Sequence, residues 1–374
     1  MESFDVAVVG AGIIGSSVAF ECAVRGARVV LLERQTPGSG ASGMAAGMLA
    51  PCSETAEPGP FLTLGLDSLA RWPGFAARVT EESGVDCELV IDGVLRVALD
   101  EADAAVVQQR IAWQRDAGVA VQWVDADALT SFEPALSTTA GAAWYASEGQ
   151  VNSARAVAAI VAAAAQHGVA LRCGAAVVAV DGAGVRLGDG AVVSAATVAL
   201  CAGPWTGGVL AALGISPAAI RPVLGQLIGI RGVAHPPEHV LYAGACGYAL
   251  TRRDGEVIVG ASEDDTGFDT AVRDAVTESL TGVARRLLRD PGAVATPTVW
   301  TGLRPATPDG LPLLGSLDVG SGPRVLVATG HYRNGVLLAP ATAAGVASMA
   351  LDDAVPRGWE AFDASRFPRS PAAP

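Results

Sequence analysis

The chain has 374 residues, of which 51% are hydrophobic, and its formal net charge at pH 7 is −13. This length suffices for two domains, or for one large domain with an insertion, and the apolar fraction supports a large buried core. Because the charge is strongly negative, we expect no nucleic acid partner and no binding to anionic membrane surfaces.

Residue types that are missing or scattered exclude further classes of protein. All 25 basic residues are arginine, so the chain has neither a Schiff-base lysine nor a P-loop lysine, which excludes pyridoxal-phosphate enzymes and Walker ATPases. The six cysteines form no CxxC pair and the four histidines show no ligand spacing, so we predict no metal site.

The sequence favours a cytoplasmic location. Scattered cysteines are typical of a reduced compartment, and the chain enters its first predicted strand by residue 4 without a signal-type segment. The run AVAAIVAAAA at 156–165 is too short to span a bilayer and predicts an alanine-rich buried helix.

Residues 4–34, FDVAVVGAGIIGSSVAFECAVRGARVVLLER, have the order strand, glycine turn, helix, strand. DVAVVG is a continuous apolar run, which is typical of a parallel strand buried on both faces. In a dinucleotide-binding unit, Gly10 makes the tight turn, Gly12 lets the backbone approach the pyrophosphate, and Gly15 lets the helix pack on the strand. The pyrophosphate would lie at the helix N-terminus, and Glu33 would accept hydrogen bonds from the adenosine ribose.

This unit alone does not distinguish NAD from FAD, and a glycine-rich turn in an α/β core is the alternative to a nucleotide site. The next segment, GSGASGMAAGM at 38–48, is small and nearly uncharged, so it can lie close along a flat cofactor. A disordered linker is the alternative, but the segment lacks a polar bias and is followed by apolar residues.

The remaining elements follow in chain order. The patterns predict a helix over 61–82, a hairpin over 87–99 that turns near Asp92 and Gly93, a helix over 101–118, a strand and a helix within 141–171 with Asn152 or Ser153 as N-cap, and a buried strand over 196–206. Residues 222–300 are sheet-like, with a hairpin turn at Asp254 and Gly255, and the chain then returns to strand and helix.

Nucleotide-type βα units therefore occur at the beginning, middle and end of the chain, with sheet-rich segments between them. We predict an α/β protein of the two-domain α+β type. A discontinuous cofactor domain would comprise residues 1–80, 149–221 and 300–374. A second domain would comprise residues 81–148 and 222–299.

Arg304 lies in TGLRPATPDG, residues 301–310, on a stiff, proline-rich backbone among apolar neighbours. A charge in such a setting usually needs an anion. The fragment by itself favours an internal carboxylate such as Asp309, and the alternative is an anionic ligand.

Several motifs, taken together and in order, make the chain resemble a known family over nearly its whole length. These motifs are GAGIIG, AAGMLAP followed by Glu54, CAGPWT, GYALTRRDGEVIVGAS, GLRPATPDGLPLLG and GHYRNGVLLAPAT. The chain resembles the FAD-dependent D-amino-acid oxidase and glycine oxidase superfamily, and within it the glycine oxidases of thiamine synthesis. The resemblance implies a Rossmann-like FAD-binding domain with an inserted antiparallel sheet that covers the flavin.

The resemblance also implies the residues of the site. Besides Gly10, Gly12 and Gly15, the residues expected to contact non-covalent FAD are Ile13, Ile14, Glu33, Arg34, Ala41, Ser42, Ala46, Gly47, Met48, Val177, His331, Tyr332, Arg333, Asn334, Gly335, Val336 and Leu337. Tyr248, Arg304 and Arg333 would hold the substrate, and the anion bound by Arg304 would then be the substrate carboxylate.

The activity implied by the resemblance is oxidative deamination of glycine and other small amino acids. Hydride would pass to the flavin, dioxygen would be reduced to hydrogen peroxide, and the imine would be hydrolysed to glyoxylate and ammonia. The resemblance further implies a role in thiamine thiazole biosynthesis, and we expect a homo-oligomer.

Three positions bear on how far the resemblance extends. Cys246 stands where close relatives often have histidine, and Glu263 stands where an apolar residue is usual. Gly302 occupies the place of a flavin-linking cysteine in some sarcosine oxidase relatives, so the flavin is expected to be non-covalent. Two alternatives stay open, namely a D-amino-acid or sarcosine-type oxidase or dehydrogenase, and a flavin-binding subunit without amine chemistry.

Overall fold

The computed structural model describes residues 3–213, 220–292, 297–320 and 322–367. The strands are β1 Ser3–Val9, β2 Val29–Leu32, β3 Met48–Leu49, β4 Val94–Ala98, β5 Gln122–Asp125, β6 Gly141–Tyr145, β7 Gly149–Gln150, β8 Ala170–Arg172, β9 Val177–Asp181, β10 Gly184–Leu187, β11 Val192–Leu200, β12 Arg221–Ile230, β13 Val240–Tyr242, β14 Tyr248–Thr251, β15 Val257–Gly260, β16 Thr298–Ala306, β17 Leu313–Leu317 and β18 Arg324–Thr329. The α-helices are α1 Ile13–Val24, α2 Ala41–Met44, α3 Pro51–Glu54, α4 Pro60–Ser83, α5 Glu101–Asp116, α6 Ala126–Phe132, α7 Ser153–Gln166, α8 Thr206–Ala212, α9 Asp274–Leu287 and α10 Gly335–Asp352.

The first sheet has the strand order β17-β18-β11-β1-β2-β8, with the hairpin β9-β10 attached to β11. Its central strands are parallel, and Val6 of β1 pairs with Val29 of β2 and Thr197 of β11. Helices α1, α4, α7 and α10 cover one face, where Val18, Trp72 and Ile160 have no solvent exposure. Both faces are buried, which explains the continuous apolar runs of these strands.

The second sheet has the order β16-β12-β15-β14-β13-β4-β6-β5. Its neighbouring strands are antiparallel, except that β13 runs parallel to β4. Helices α6 and α9 pack on one face, and α5 packs near the β4-β6 end. The predicted fold class, an α/β cofactor unit combined with a largely antiparallel sheet, is therefore confirmed.

The predicted hairpin over 87–99 is wrong. Residues 94–98 form β4, which pairs with β6 and β13, whereas Val90 bridges Gln150 and the Gly93 N–H donates to the Glu148 carbonyl. The apolar, alternating residues before the Asp92–Gly93 turn thus find partners in the 148–150 segment instead of folding back on β4. The hairpin at Asp254 and Gly255 forms between β14 and β15 as predicted.

The domain boundaries remain a proposal. Strand β16 begins at Thr298 and pairs with β12 as far as Ala306, so it crosses the proposed boundary at residue 300. We propose that residues 300–306 contribute to both units, because they belong to the second sheet by pairing and lead directly into β17 of the first.

Helix α10 is the one helix in the described part of the chain that is long and apolar enough to cross a membrane. Two thirds of it are buried inside the protein, and Leu337, Leu338 and Ala339 have no solvent exposure. Its composition is explained by packing against α1 and α4 in the core.

Helix α3 ends at Glu54 and is held by buried polar groups. The Glu148 carboxylate accepts the backbone N–H groups of Cys52 and Ser53, the latter at 3.1 Å. On the other side, the Gln114 amide donates to the Cys52 carbonyl at 2.8 Å and accepts the Tyr145 hydroxyl at 2.7 Å. These bonds fix the short helix, which is too short to be stable by itself.

Glu148 makes stability depend on pH. Burial raises the pKa of Glu148 from 4.5 to about 7, more than hydrogen bonding to Ser53 and to the Cys52 N–H lowers it. Ionisation therefore opposes folding, and the stability that the neutral acid provides below pH 4.5 is lost as the pH rises through 7. Compared with Glu148→Gln, the wild-type protein should lose about 3 kcal/mol of unfolding free energy between pH 4.5 and 8. Denaturant titration of both proteins across this range measures the difference, and parallel curves would contradict it.

Candidate functional site

A cavity of about 530 Å³ lies between the two sheets. Its volume falls within the range usual for cofactor and substrate pockets. The predicted site residues that line it are Gly10, Gly12, Ile13, Ile14, Glu33, Arg34, Ala41, Ser42, Ala46, Gly47, Met48, Val177, Tyr248, Arg304, His331, Tyr332, Arg333, Gly335 and Val336. The structure thus brings into one space residues that are more than 300 positions apart in the sequence.

Three predicted cofactor residues are not part of this lining. Gly15 is buried in α1, where an added Cβ would lie 1.9 Å from the Gly10 carbonyl oxygen, so its role is to permit close packing of the turn. Leu337 is fully buried, and its carbonyl accepts bonds from Ser68 and Trp72. Asn334 precedes α10 and lines a separate outer pocket.

One end of the cavity has the features of a pyrophosphate site. Gly12 is the N-cap of α1 without a side-chain cap, so N–H groups of the first turn are left for an anion. The Ser42 hydroxyl accepts the Ile13 N–H at 2.9 Å and ties the 38–48 segment to this helix. Gly10 has φ +99°, and a Cβ there would lie 2.7 Å from the Cys201 carbonyl oxygen, so the tight turn requires glycine.

Glu33 is positioned for a ribose at the end of β2. Its carboxylate accepts the Ala11 N–H at 2.8 Å and the Gln35 N–H at 2.9 Å, and the side chain is nearly buried. Each carboxylate oxygen has a second acceptor position, which leaves capacity for two hydroxyl donors. Together with the glycine turn, this geometry fits the adenosine half of FAD.

Trp205 lines the cavity, although it was not predicted as a site residue. The Arg34 guanidinium lies 3.6 Å from the centre of its ring, and Phe268 packs on it at 5.8 Å between ring centres. Both Arg34 and Trp205 line the cavity near Val177 and Glu33. The only sequence signal was the CAGPWT motif at a βα corner, which marked the turn but not the contribution of its aromatic ring.

The other end of the cavity contains Tyr248 and Arg304. Arg304 donates to the Ser262 carbonyl at 2.9 Å and to the Leu224 carbonyl at 3.4 Å. Gly225 on the neighbouring strand makes room, since a Cβ there would lie 2.4 Å from the guanidinium. Burial raises the pKa of Tyr248 to about 12, so its hydroxyl remains a hydrogen-bond donor at neutral pH.

The internal anion expected for Arg304 is absent. Asp309 pairs with Arg366 at 2.7 Å, and no carboxylate of the described residues lies within 4.0 Å of Arg304. The interpretation that favoured Asp309 is therefore wrong, because the chain turns after Ala306 and presents Asp309 to the C-terminal segment. Both carbonyl bonds of Arg304 use NH1, and the side chain lines the cavity, where it can meet an anionic ligand.

Arg333, in contrast, is flanked by two carboxylates. Its NH1 donates to Glu263 at 2.8 Å and its Nε lies 3.5 Å from Glu54. Burial raises the pKa of Glu54, against the lowering effect of Arg333 and Arg304. Glu54 was not predicted as a site residue, because the AAGMLAP motif marks its region but gives no sign of its charged partner.

The segment before α10 contains a buried histidine and a residue with left-handed backbone. His331 is buried and bonds Thr342 at 3.1 Å, and burial lowers its pKa to about 3, so it stays neutral. Tyr332 has φ +49°, a left-handed conformation that is uncommon for a residue other than glycine, and its N–H donates to the Pro305 carbonyl. Strained backbone of this kind is concentrated at ligand sites.

Glu263 and Cys246, the two residues that differ from those usual in relatives, lie in different parts of the structure. Glu263 contacts Arg333 directly, whereas Cys246 is half-buried against the core beneath α9 and is not part of the cavity lining. In the described residues, no cluster of His, Cys, Asp and Glu could hold a metal ion.

Gly302 bears on whether the flavin is attached covalently. It lines the cavity, and a Cβ there would lie 3.0 Å from Met44, so the position has no nucleophile and little space for one. We expect acid precipitation of the protein to release all yellow colour as intact FAD, identified by mass spectrometry. Colour retained on the polypeptide would contradict this prediction.

Comparisons with known proteins show the family of the chain. The sequence matches the DAO family, described as FAD dependent oxidoreductase, over residues 5–349. Glycine oxidase of Geobacillus kaustophilus is 34% identical over 369 residues, which is 97% of this chain and 96% of that protein. The bifunctional protein ThiO/ThiG of a Synechocystis species is 32% identical, and the match spans 97% of this chain but 54% of that longer protein.

The structural comparison extends over almost the whole chain. The crystal structure of glycine oxidase from Geobacillus kaustophilus has a TM-score of 0.92 and 31% sequence identity, over 98% of this chain and 100% of that chain. The fold, the glycine turn at α1, Glu33 and the sequence match lead to one assignment. The chain belongs to the DAO family of FAD-dependent oxidoreductases, and its cofactor is FAD.

Proposed function

We propose that the protein oxidises glycine and other small amino acids at the α-carbon, reduces dioxygen to hydrogen peroxide, and releases the imine for hydrolysis to glyoxylate and ammonia. The observation that carries this proposal is Arg304, a cation in the cavity wall with backbone carbonyls but no carboxylate within 4.0 Å among the described residues. An amino acid carboxylate supplies the missing anion.

The chain contributes binding and orientation. FAD, held by the glycine turn before α1 and by Glu33, would supply the acceptor for a hydride from the substrate α-carbon. Arg304 holds the carboxylate in one orientation, because a guanidinium presents its donors in a rigid plane. Tyr248, protonated at neutral pH, donates a further hydrogen bond at the same end of the cavity.

Burial strengthens these interactions. Tyr248 is only 7% exposed, so the carboxylate would leave water on entering and its attraction to Arg304 would be stronger than at a surface. The neutral form of the substrate amine is the form that reacts, and the low-dielectric wall favours it over the ammonium ion.

Names of related proteins support the wider context. The glycine oxidase of Geobacillus kaustophilus and the bifunctional ThiO/ThiG protein match nearly all of this chain. We propose on this basis that the enzyme acts in thiamine thiazole biosynthesis, in the cytoplasm and as a homo-oligomer. We keep Tyr248 and Arg304 as the residues that bind the substrate carboxylate, Arg333 as a residue beside the substrate and the flavin, and the cofactor residues as contacts of FAD, all as part of the same proposal.

Substrate size provides the test. Ala46 and Gly47 line the cavity, and Gly47 has φ +78°, so small residues bring the backbone close to the ligand space. In a peroxide assay with glycine, sarcosine, D-alanine and D-phenylalanine, we expect one of the three small substrates to have the highest kcat/KM. A maximum for D-phenylalanine would contradict the assignment.

A further inference from the structure

Arg333 lies at the boundary between the main cavity and a second pocket. The outer pocket has a volume of about 380 Å³ and is more open, and both Arg333 and Glu54 line the two spaces. Glu263 binds the guanidinium at NH1 and Glu54 lies beside Nε, at 2.8 and 3.5 Å. Two carboxylates of the chain therefore lie against this cation, one at NH1 and the other near Nε.

The two arginines of the cavity thus differ in their availability. Among the described residues, Arg304 has no carboxylate within 4.0 Å, so it can bind one ligand carboxylate without displacing a partner. A second ligand carboxylate would find Arg333 already neutralised. A ligand carboxylate bound to Arg333 would also lie close to the Glu263 carboxylate, and two negative charges at short distance repel each other.

Two consecutive residues, Ser262 and Glu263, contact the two arginines of the cavity. The carbonyl of Ser262 accepts from Arg304 at 2.9 Å, and the side chain of Glu263 accepts from Arg333 at 2.8 Å. Replacing the Glu263 side chain therefore changes the surroundings of Arg333 while the backbone contact to Arg304 remains in place. Its side chain is 42% exposed, so substitution need not disturb the core.

We propose that Glu263 is a specificity-determining residue that excludes substrates with a second carboxylate. Amino acids with one carboxylate are accepted, whereas N-carboxymethyl amino acids and short amino dicarboxylates are rejected. This inference rests on the proposed function, because it concerns the substrates of the same site.

The test uses two substrates that differ only in one carboxylate. Sarcosine and iminodiacetate share the secondary amine and the first carboxymethyl group. In Glu263→Gln and Glu263→Met we expect the kcat/KM of iminodiacetate relative to that of sarcosine to rise about 10- to 100-fold, a range reduced for the partial exposure of Glu263. The methionine variant, which also loses the acceptor for Arg333, should show the larger rise.

Asp265→Asn is the matched control. Asp265 lies in the same segment, is 78% exposed, and faces Arg221 at 3.5 Å on the surface. This variant removes one negative charge without touching Arg333, so its substrate ratio should stay within about twofold of wild type. An equal rise in this control would overturn the proposal, since bulk charge would then be the cause.

A binding measurement separates this inference from the proposed function. Methoxyacetate and diglycolate are the non-oxidisable oxygen counterparts of the two substrates, and perturbation of the flavin absorbance reports their dissociation constants. The ratio of the diglycolate Kd to the methoxyacetate Kd should fall about 10-fold or more in both Glu263 variants. If neither the wild-type protein nor the variants oxidise any of the amines, the proposed function fails. The ratio of the two dissociation constants still decides the role of Glu263. Ratios unchanged from wild type, in variants with full flavin content and wild-type melting temperature, would overturn it.

Discussion

Replacing Arg304 with alanine is expected to lower kcat/KM for glycine by about 30- to 5,000-fold while the protein keeps its fold and flavin. The range corresponds to losing a desolvated ion pair with the substrate carboxylate, at about 2–5 kcal/mol. The loss should fall on substrate binding, because Arg304 has no internal carboxylate partner within 4.0 Å in the described parts of the chain. A wild-type melting temperature combined with poor saturation by glycine is the expected signature.

Arg366→Ala is the control for this substitution. Arg366 pairs with Asp309 at 2.7 Å and donates to the carbonyls of Leu311, Pro312 and Phe362 outside the cavity. This variant should lose about 1–3 kcal/mol of unfolding free energy, while the protein that remains folded oxidises glycine at the wild-type rate. The account of Arg304 would be contradicted if its alanine variant behaved in this way too.

Replacing Gly15 with alanine is expected to abolish stable FAD binding. The new Cβ would lie 1.9 Å from the Gly10 carbonyl oxygen and 3.1 Å from the Cys201 side chain, so α1 must move away from the turn. Overpacking of this kind costs about 1–3 kcal/mol, and the movement displaces the helix N-terminus on which the pyrophosphate depends. Flavin content after gel filtration and the melting temperature should both fall.

A second glycine-to-alanine change separates this clash from general effects on helices. Gly282 lies on the exposed face of α9, and an added Cβ there has nothing within 4 Å. Gly282→Ala should leave flavin content unchanged and raise stability by about 0.5–1 kcal/mol. Full FAD retention in Gly15→Ala would show that the close packing of turn and helix is not needed.

The cofactor end of the site could be predicted from sequence because it depends on local pattern. The strand, the glycine turn and Glu33 lie within 34 consecutive residues. Two of the glycines also have local reasons, namely the φ of +99° at Gly10 and the 1.9 Å approach of a Gly15 Cβ to the Gly10 carbonyl oxygen. The same holds for the hairpin at Asp254 and Gly255, where turn residues are flanked by two apolar strands.

The ion pairs of the substrate end could not be predicted in this way. Asp309 is five residues from Arg304, but the direction of the chain after β16 gives it to Arg366. Glu54, Glu263 and Arg333 come from three distant segments, and only the packing of the two sheets brings them together. The wrong hairpin over 87–99 has the same origin, since partner segments 43 to 60 residues away in the sequence competed with the local turn.

Anaerobic mixing of the FAD-loaded protein with glycine, sarcosine and D-alanine shows whether the flavin is reduced by small amino acids. The account predicts that at least one of these amino acids bleaches the oxidised flavin band, that the Arg304→Ala variant bleaches much more slowly at the same concentration, and that admission of dioxygen restores the colour. A flavin band that stays unchanged with all three amino acids, in protein that dithionite reduces fully, would contradict it.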